Sequence, residues 1–143
     1  MRIHLGADHA GYQLKEHVKT ALGTMGHDVV DVGTHAEESV DYPDFAEAVG
    51  RAVASGKADA GVLVCGTGLG MAIAANKVPG VRAVQASDPE MARMARLHND
   101  ANVLTLPGRY IGPEQAAAVV DAFLSTAFEG GRHQRRIDKI DAI

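Results

Sequence analysis

Short apolar runs alternate with longer segments of helical periodicity along the whole chain. The apolar runs predict strands at residues 2–6, 28–32, 60–64, 81–86 and 102–106. The longer segments predict helices at about 11–25, 43–55, 70–76, 88–98 and 112–125, with a last, basic helix from about 132. Asp88-Pro89-Glu90 and Gly112-Pro113-Glu114 mark two helix starts, because each places a proline and an acid in a first turn.

This alternation predicts the α/β fold class. We expect a Rossmann-like three-layer α/β/α sandwich, with a five-stranded parallel sheet in the order 2-1-3-4-5 and right-handed crossovers. The length of 143 residues suits a single domain, 1–143. In such sheets, ligands bind beyond the carboxyl ends of the strands, where the strand order reverses.

Composition narrows the function classes. The net charge is −4, so the chain lacks the basic surface that nucleic-acid binding uses. Tryptophan is absent, and three tyrosines and three phenylalanines are the only aromatic residues, so stacking platforms for bases are also lacking. No apolar stretch is long enough to span a membrane. The single cysteine excludes an intrachain disulfide and a multi-cysteine zinc site, and it suits a reducing compartment. These features predict a cytoplasmic protein.

That cysteine, Cys65, ends the predicted third strand and is followed by Gly66-Thr67-Gly68-Leu69-Gly70, which opens a helix. The thiol therefore faces backbone N–H groups and the positive end of a helix, which favour a thiolate. The same N–H groups suit an oxyanion beside it. Many lone cysteines only pack in a core. The glycine turn favours a chemical role, since a packing cysteine needs no open turn after it.

The loop after strand one is Gly6-Ala7-Asp8-His9-Ala10-Gly11. It places Asp8 where the dinucleotide fingerprint has its middle glycine, and a carboxylate there repels a diphosphate. A small anionic substrate is the better candidate. If strands one and three are neighbours, Asp8 and His9 lie across from Cys65.

Two further groups lie later in the chain. His98 and Asn99 end the fourth predicted helix, where a histidine is either solvated or a proton shuttle. Arg132 and Arg136 belong to a dense basic cluster and, four residues apart, share a helix face suited to one phosphate. Because His98 precedes strand five, it belongs to the edge of the sheet opposite Cys65, about a strand length (~17–20 Å) away. We therefore expect His98 to reach the thiol of a partner subunit.

Together these segments resemble the ribose-5-phosphate isomerase type B family, which also includes the galactose-6-phosphate isomerase subunits. The resemblance covers nearly the whole chain. It rests on residues 6–11, Asp41-Tyr42-Pro43, residues 65–70 with Ile73-Ala74-Ala75-Asn76-Lys77, residues 98–103 and residues 129–136. One branch of the family uses a glutamate base where this chain has Met71, so the chain looks like the cysteine-base branch.

The resemblance implies interconversion of ribose 5-phosphate and ribulose 5-phosphate through an enediolate. Cys65 would be the base, Thr67 would assist proton transfer, and His98 with Asp8 would open the furanose ring. It also implies no cofactor and no metal, and a homodimer or tetramer with its active site at the subunit interface and the basic helix of about 132–143 packed there. The implied substrate-binding residues are Asp8, His9, Gly66, Thr67, Gly68, Leu69, Gly70, Asn99, Arg109, Arg132 and Arg136.

Other readings stay open at this point. The substrate of such an isomerase is ribose 5-phosphate, allose 6-phosphate or a tetrose phosphate. A nucleotide-binding module of the same fold, or a hydrolase or transferase with Cys65 as nucleophile, would use the same loops.

Overall fold

Five parallel strands form one sheet in the computed structural model, which describes all 143 residues. The strands are β1 (Arg2–Ala7), β2 (Asp28–Asp31), β3 (Ala60–Cys65), β4 (Ala83–Gln85) and β5 (Val103–Pro107). The helices are α1 (Tyr12–Thr24), α2 (Tyr42–Ala54), α3 (Leu69–Ala75), α4 (Pro89–Asn99), α5 (Pro113–Ser125) and α6 (Arg132–Asp141). The α/β fold is as predicted, and the predicted element boundaries differ from these by at most two residues.

The predicted strand order is wrong for the last two strands. The sheet runs β2-β1-β3-β5-β4, so β5 lies inside and β4 outside, instead of 2-1-3-4-5. The strands themselves explain the exchange. Every residue of β5 is buried, whereas β4 has only three residues and leaves Val84 and Gln85 partly exposed. The longer apolar strand gains more from an interior position with helices over both faces.

The observed order also decides which helices share a face. Right-handed crossovers that run in one direction along the sheet place their helices on one side, and those in the other direction place theirs opposite. The connections β1 to β2 and β4 to β5 run the same way, so α1 and α4 lie together, and α5 joins them over a core of 19 buried residues. The opposite face, under α2 and α3, has a core of 13.

The middle of the sheet brings the ends of β1, β3 and β5 together. β1 pairs with β3 and β3 with β5, and Cys65 is opposite Pro107 in the register. The loops that follow these strands therefore meet at the carboxyl edge of the sheet. None of the helices has the length and apolar character that crossing a membrane requires.

Candidate active site

A cavity of about 260 Å³ opens where the loops after β1, β3 and β5 meet. Its lining includes a thiol, a carboxylate, an imidazole and a guanidinium. The lining residues are Asp8, His9, Ala10, Tyr42, Cys65, Gly66, Thr67, Gly70 and Arg109.

Cys65 is the last residue of the buried strand β3, and its side chain is held at the base of the glycine loop. The residue is 5% exposed, and its Sγ accepts a hydrogen bond from the backbone N–H of Gly68 at 3.2 Å. Gly68 has φ +75°, a left-handed conformation that favours glycine and turns the chain into α3. The loop therefore presents an N–H group to the sulfur.

The loop after β1 lies close against the end of β3. The Asp8 carboxylate is buried and its Oδ1 accepts the N–H of Gly11 at 3.0 Å, while the Asp8 N–H donates to the carbonyl of Val64 at 3.2 Å. These bonds fix Asp8 beside the last residues of β3. The adjacent His9 accepts the N–H of Val40 on Nδ1 at 3.2 Å, so the neutral ring carries its proton on Nε2.

Arg109 reaches the cavity from the loop after β5. Its backbone N–H donates to the carbonyl of Gly66 at 3.0 Å. Its guanidinium lies over Gly66 so closely that a Cβ on that glycine would be 3.0 Å from Nη1. A fixed positive charge thus stands beside the glycine loop, where it can balance an anionic substrate.

Tyr42 is a cavity residue for which sequence reasoning gave no role. It is the first residue of α2, and its ring packs on Gly70, where an added Cβ would lie 2.6 Å from the ring. The only signal was its place in the segment Asp41-Tyr42-Pro43. A tyrosine at a helix start carries no pattern of its own that indicates a site.

Two of the predicted loop residues do not line this cavity. The Gly68 N–H donates to the Cys65 sulfur, and Leu69 is 56% exposed. The Leu69 N–H donates to Thr67 Oγ1 at 3.2 Å, so it fixes that hydroxyl.

His98, Asn99, Arg132 and Arg136 lie at the opposite edge of the sheet in the same chain. His98 and Asn99 end α4, just before β5 begins, and α6 packs against them. The His98 ring stacks on His133 of α6, with ring centroids 4.4 Å apart. One chain therefore does not bring these residues to its own Cys65.

Charge accumulates at this second edge. Burial under the His98 ring lowers the pKa of His133, and positive charge on His98 and on the nearby arginines lowers it further, while Glu129 opposes the shift. Arg132 and Arg136 are exposed and lie in the first half of α6, which begins directly after Gly131. The guanidinium groups are thus available to an anion outside their own chain.

A possible cation site at this edge has poor geometry. Ligand atoms of His98, Glu129 and His133 lie within 4.8 Å of one another. The two rings are nearly parallel, at 16°, and the lone pairs of their Nε2 atoms lie in the ring planes. Both cannot meet at one ion unless a ring turns.

Comparison with known proteins gives the family. The family model described as Ribose/Galactose Isomerase matches residues 3–140. The chain belongs to this family. It is 48% identical to "Ribose-5-phosphate isomerase B" of Escherichia coli (strain K12), over 99% of this chain and 95% of that protein. Membership in the Ribose/Galactose Isomerase family makes the chain an enzyme of the isomerase class.

Solved structures of family members have the same fold. A ribose 5-phosphate isomerase from Thermotoga maritima is 56% identical, with a TM-score of 0.97 over 99% of this chain and 98% of that one. Ribose-5-phosphate isomerase B from Mycoplasma genitalium, solved with bound ribulose-5-phosphate, is 44% identical. Its TM-score is 0.94 over 99% of this chain and 94% of that one.

Proposed function

We propose that this protein interconverts ribose 5-phosphate and ribulose 5-phosphate, with Cys65 as the general base. The observation that carries the proposal is the cavity in which the Cys65 thiol lies with Asp8, His9, Thr67 and Arg109. The family assignment and the ribulose-5-phosphate in the Mycoplasma genitalium relative support the same substrate pair.

The reaction requires that a proton move between neighbouring carbons. The Cys65 thiolate takes the proton from the carbon next to the aldehyde, and the released electron pair forms the carbon–carbon double bond of an enediolate as the aldehyde oxygen gains negative charge. Backbone N–H groups of residues 66–70 stabilise that charge. Thr67 moves the hydroxyl proton between the two oxygens, and the thiol returns its proton to the former aldehyde carbon, which gives the ketose.

Groups from both edges of the sheet hold the phosphate in this proposal. His9 offers Nε2–H, since Nδ1 accepts the N–H of Val40, and Arg109 offers its guanidinium. Arg132 and Arg136, four residues apart on α6, come from a second chain. A charge-assisted hydrogen bond of this kind contributes roughly 1.5–3 kcal/mol.

A second chain also completes the proton transfers. Ribose 5-phosphate is mostly cyclic, and His98, with Asp8, opens the furanose ring while Asn99 binds a sugar hydroxyl. Since one chain places His98 at the edge opposite Cys65, a shared site requires a homodimer or tetramer in which α6 packs at the interface. No cofactor or metal takes part in these steps. Location in the cytoplasm is part of the same proposal.

The choice of sugar is tested by a panel of substrates. We expect the purified protein to form ketose from ribose 5-phosphate much faster than from allose 6-phosphate, a tetrose phosphate or unphosphorylated ribose. The arginines explain the last difference, because ribose gives them no charge to bind. Faster conversion of another aldose phosphate would reassign the substrate, and equal turnover of ribose and its phosphate would contradict the phosphate site.

Two further measurements separate the other readings. A nucleotide-binding module predicts that ATP or NAD, but not ribose 5-phosphate, raises the Tm. A nucleophilic Cys65 predicts a mass increase on the protein in a quenched reaction. Isomerisation leaves the mass of the enzyme unchanged.

A further inference from the structure

Two polar side chains that do not line the cavity hold the glycine loop. Gln85 of β4 and Thr105 of β5 are register partners on neighbouring parallel strands, so their side chains leave the same face of the sheet. Thr105 is fully buried, at 0% exposed, in a strand that is otherwise apolar. A buried hydroxyl there is costly unless it has a partner.

Gln85 fixes the peptide group between Thr67 and Gly68. Its Nε2 donates to the Thr67 carbonyl at 3.1 Å and to Ser87 Oγ at 3.2 Å. The N–H at the other end of this peptide group, that of Gly68, donates to Cys65 Sγ at 3.2 Å. A single peptide group thus joins Gln85 to the sulfur.

Thr105 fixes the next peptide group, between Gly68 and Leu69. Its hydroxyl donates to the Gly68 carbonyl at 2.7 Å. The N–H of the same peptide group, that of Leu69, donates to Thr67 Oγ1 at 3.2 Å. The same arrangement therefore occurs in two consecutive peptide groups. In each, a side chain donates to the carbonyl, and the N–H donates to an atom of Cys65 or Thr67.

Gly68 makes this arrangement possible. A Cβ at this position would lie 3.0 Å from Gln85 Cγ and 3.0 Å from the carbonyl carbon of Leu106. Only glycine therefore lets the loop approach both strands with φ at +75°.

We propose that Gln85 and Thr105 are positioning residues, which orient and polarise two loop peptides so that Gly68 N–H stabilises the Cys65 thiolate and Leu69 N–H holds the Thr67 hydroxyl. The effect on turnover rests on the proposed isomerisation, whereas the effect on the thiolate does not. A hydrogen bond on a carbonyl strengthens the N–H of the same peptide group as a donor. A donor that is already oriented needs no reorganisation when charge develops.

The test compares Thr105→Val, which keeps the shape and removes the hydroxyl, with Thr105→Ser, which keeps the hydroxyl. In Thr105→Val the Gly68 carbonyl still accepts the Ala72 N–H at 3.2 Å, so this carbonyl keeps a partner. Gln85→Met removes the hydrogen bond to the Thr67 carbonyl. It serves as the test by itself if Thr105→Val does not fold. Because Cys65 is the only cysteine of the chain, the ultraviolet absorbance of the thiolate reports Cys65 alone once a Cys65→Ala baseline is subtracted.

We expect Gln85→Met and Thr105→Val to move the midpoint of thiolate formation to higher pH, without substrate present. Gln85→Met frees the peptide group whose N–H contacts the sulfur, and Thr105→Val frees the carbonyl of Gly68, the residue that carries this N–H. We also expect kcat at neutral pH to fall about tenfold, with KM within about twofold, because these residues act through the loop and not on the sugar. Thr105→Ser should restore the midpoint and kcat. An unchanged midpoint in Gln85→Met and Thr105→Val overturns the proposal, and so does an equal change in Thr105→Val and Thr105→Ser. If the wild-type protein isomerises no sugar, the proposed function fails while the midpoint still tests the positioning.

Discussion

At the residue scale, close backbone contacts determine the shape of the candidate site. Gly11 follows Asp8 in the first loop, and its N–H holds the Asp8 carboxylate. A Cβ on Gly11 would lie 2.3 Å from the carbonyl oxygen of Val64, which is closer than two such atoms can approach. The position of Asp8 against β3 therefore requires glycine, which has no side chain, at position 11.

Gly11→Ala should destabilise the fold and reduce activity together. The loop must move away from β3, at a cost of about 1–3 kcal/mol, typical of overpacking. Denaturant unfolding measures the loss. Gly23→Ala is the matched control, since Gly23 lies in α1 with no atom near its Cβ position, and alanine there should stabilise by roughly 0.5–1 kcal/mol. A Gly11→Ala variant as stable as the wild type would contradict the contact.

At the element scale, local patterns could predict the strands and helices but not the full order of the strands. Apolar runs and proline-marked starts depend on neighbouring residues, so β3 and α4 could be located. The direction of a crossover is decided by packing among elements that are distant in the sequence. The exchange of β4 and β5 could therefore not be predicted. The predicted strand at 81–86 gave no hint of the exchange, because it was no shorter than the predicted strand at 102–106.

The same contrast holds for the candidate site. Cys65, Asp8 and His9 could be brought together because parallel strands end at one edge. Tyr42 could not, because it reaches the cavity from the start of a helix. Gln85 and Thr105 appear in the sequence as polar residues within strands, and only the register shows that both contact one loop.

The inner strand β1 contains a buried histidine, His4, which makes stability depend on pH. Burial lowers the pKa of His4, and positive charge on Lys57 and Arg2 adds to the shift. Below the ordinary histidine pKa of about 6.5, the unfolded chain binds a proton that the folded chain resists. The contribution of neutral His4 to stability is therefore present at higher pH and is lost as the pH falls.

We expect the Tm to fall between about pH 7.5 and about pH 5.5, and to fall less in His4→Val. Valine suits a buried strand position, so this variant should fold. His17→Gln, on the exposed side of α1, controls for the loss of a histidine as such. A decrease in Tm of the same size in His4→Val and wild type would show that His4 does not carry the effect.

At the scale of the whole molecule, the two edges of the sheet divide the proposed machinery. The thiol cavity lies at the carboxyl edge, and His98 with the α6 arginines lies at the amino edge. A single chain cannot combine them, whereas two chains related by a two-fold axis can form two equal sites.

Mixing two inactive variants tests this division. Cys65→Ala and His98→Asn should each be nearly inactive alone, and co-refolding should restore about a quarter of wild-type activity, because half of randomly assorted dimers carry one intact site. Each variant refolded alone is the control. If verified mixed dimers show no recovery, both residues serve the site of their own chain and the shared site is refuted.

The central claim is that Cys65 abstracts the proton that converts ribose 5-phosphate to ribulose 5-phosphate. The most direct measurement compares ketose formation by the wild type and by Cys65→Ala, with substrate binding followed by calorimetry. We expect the wild type to form ribulose 5-phosphate, and the variant to be slower by at least about 10²–10⁴-fold while its Kd stays within about threefold. Ketose formation by Cys65→Ala at close to the wild-type rate would contradict the account.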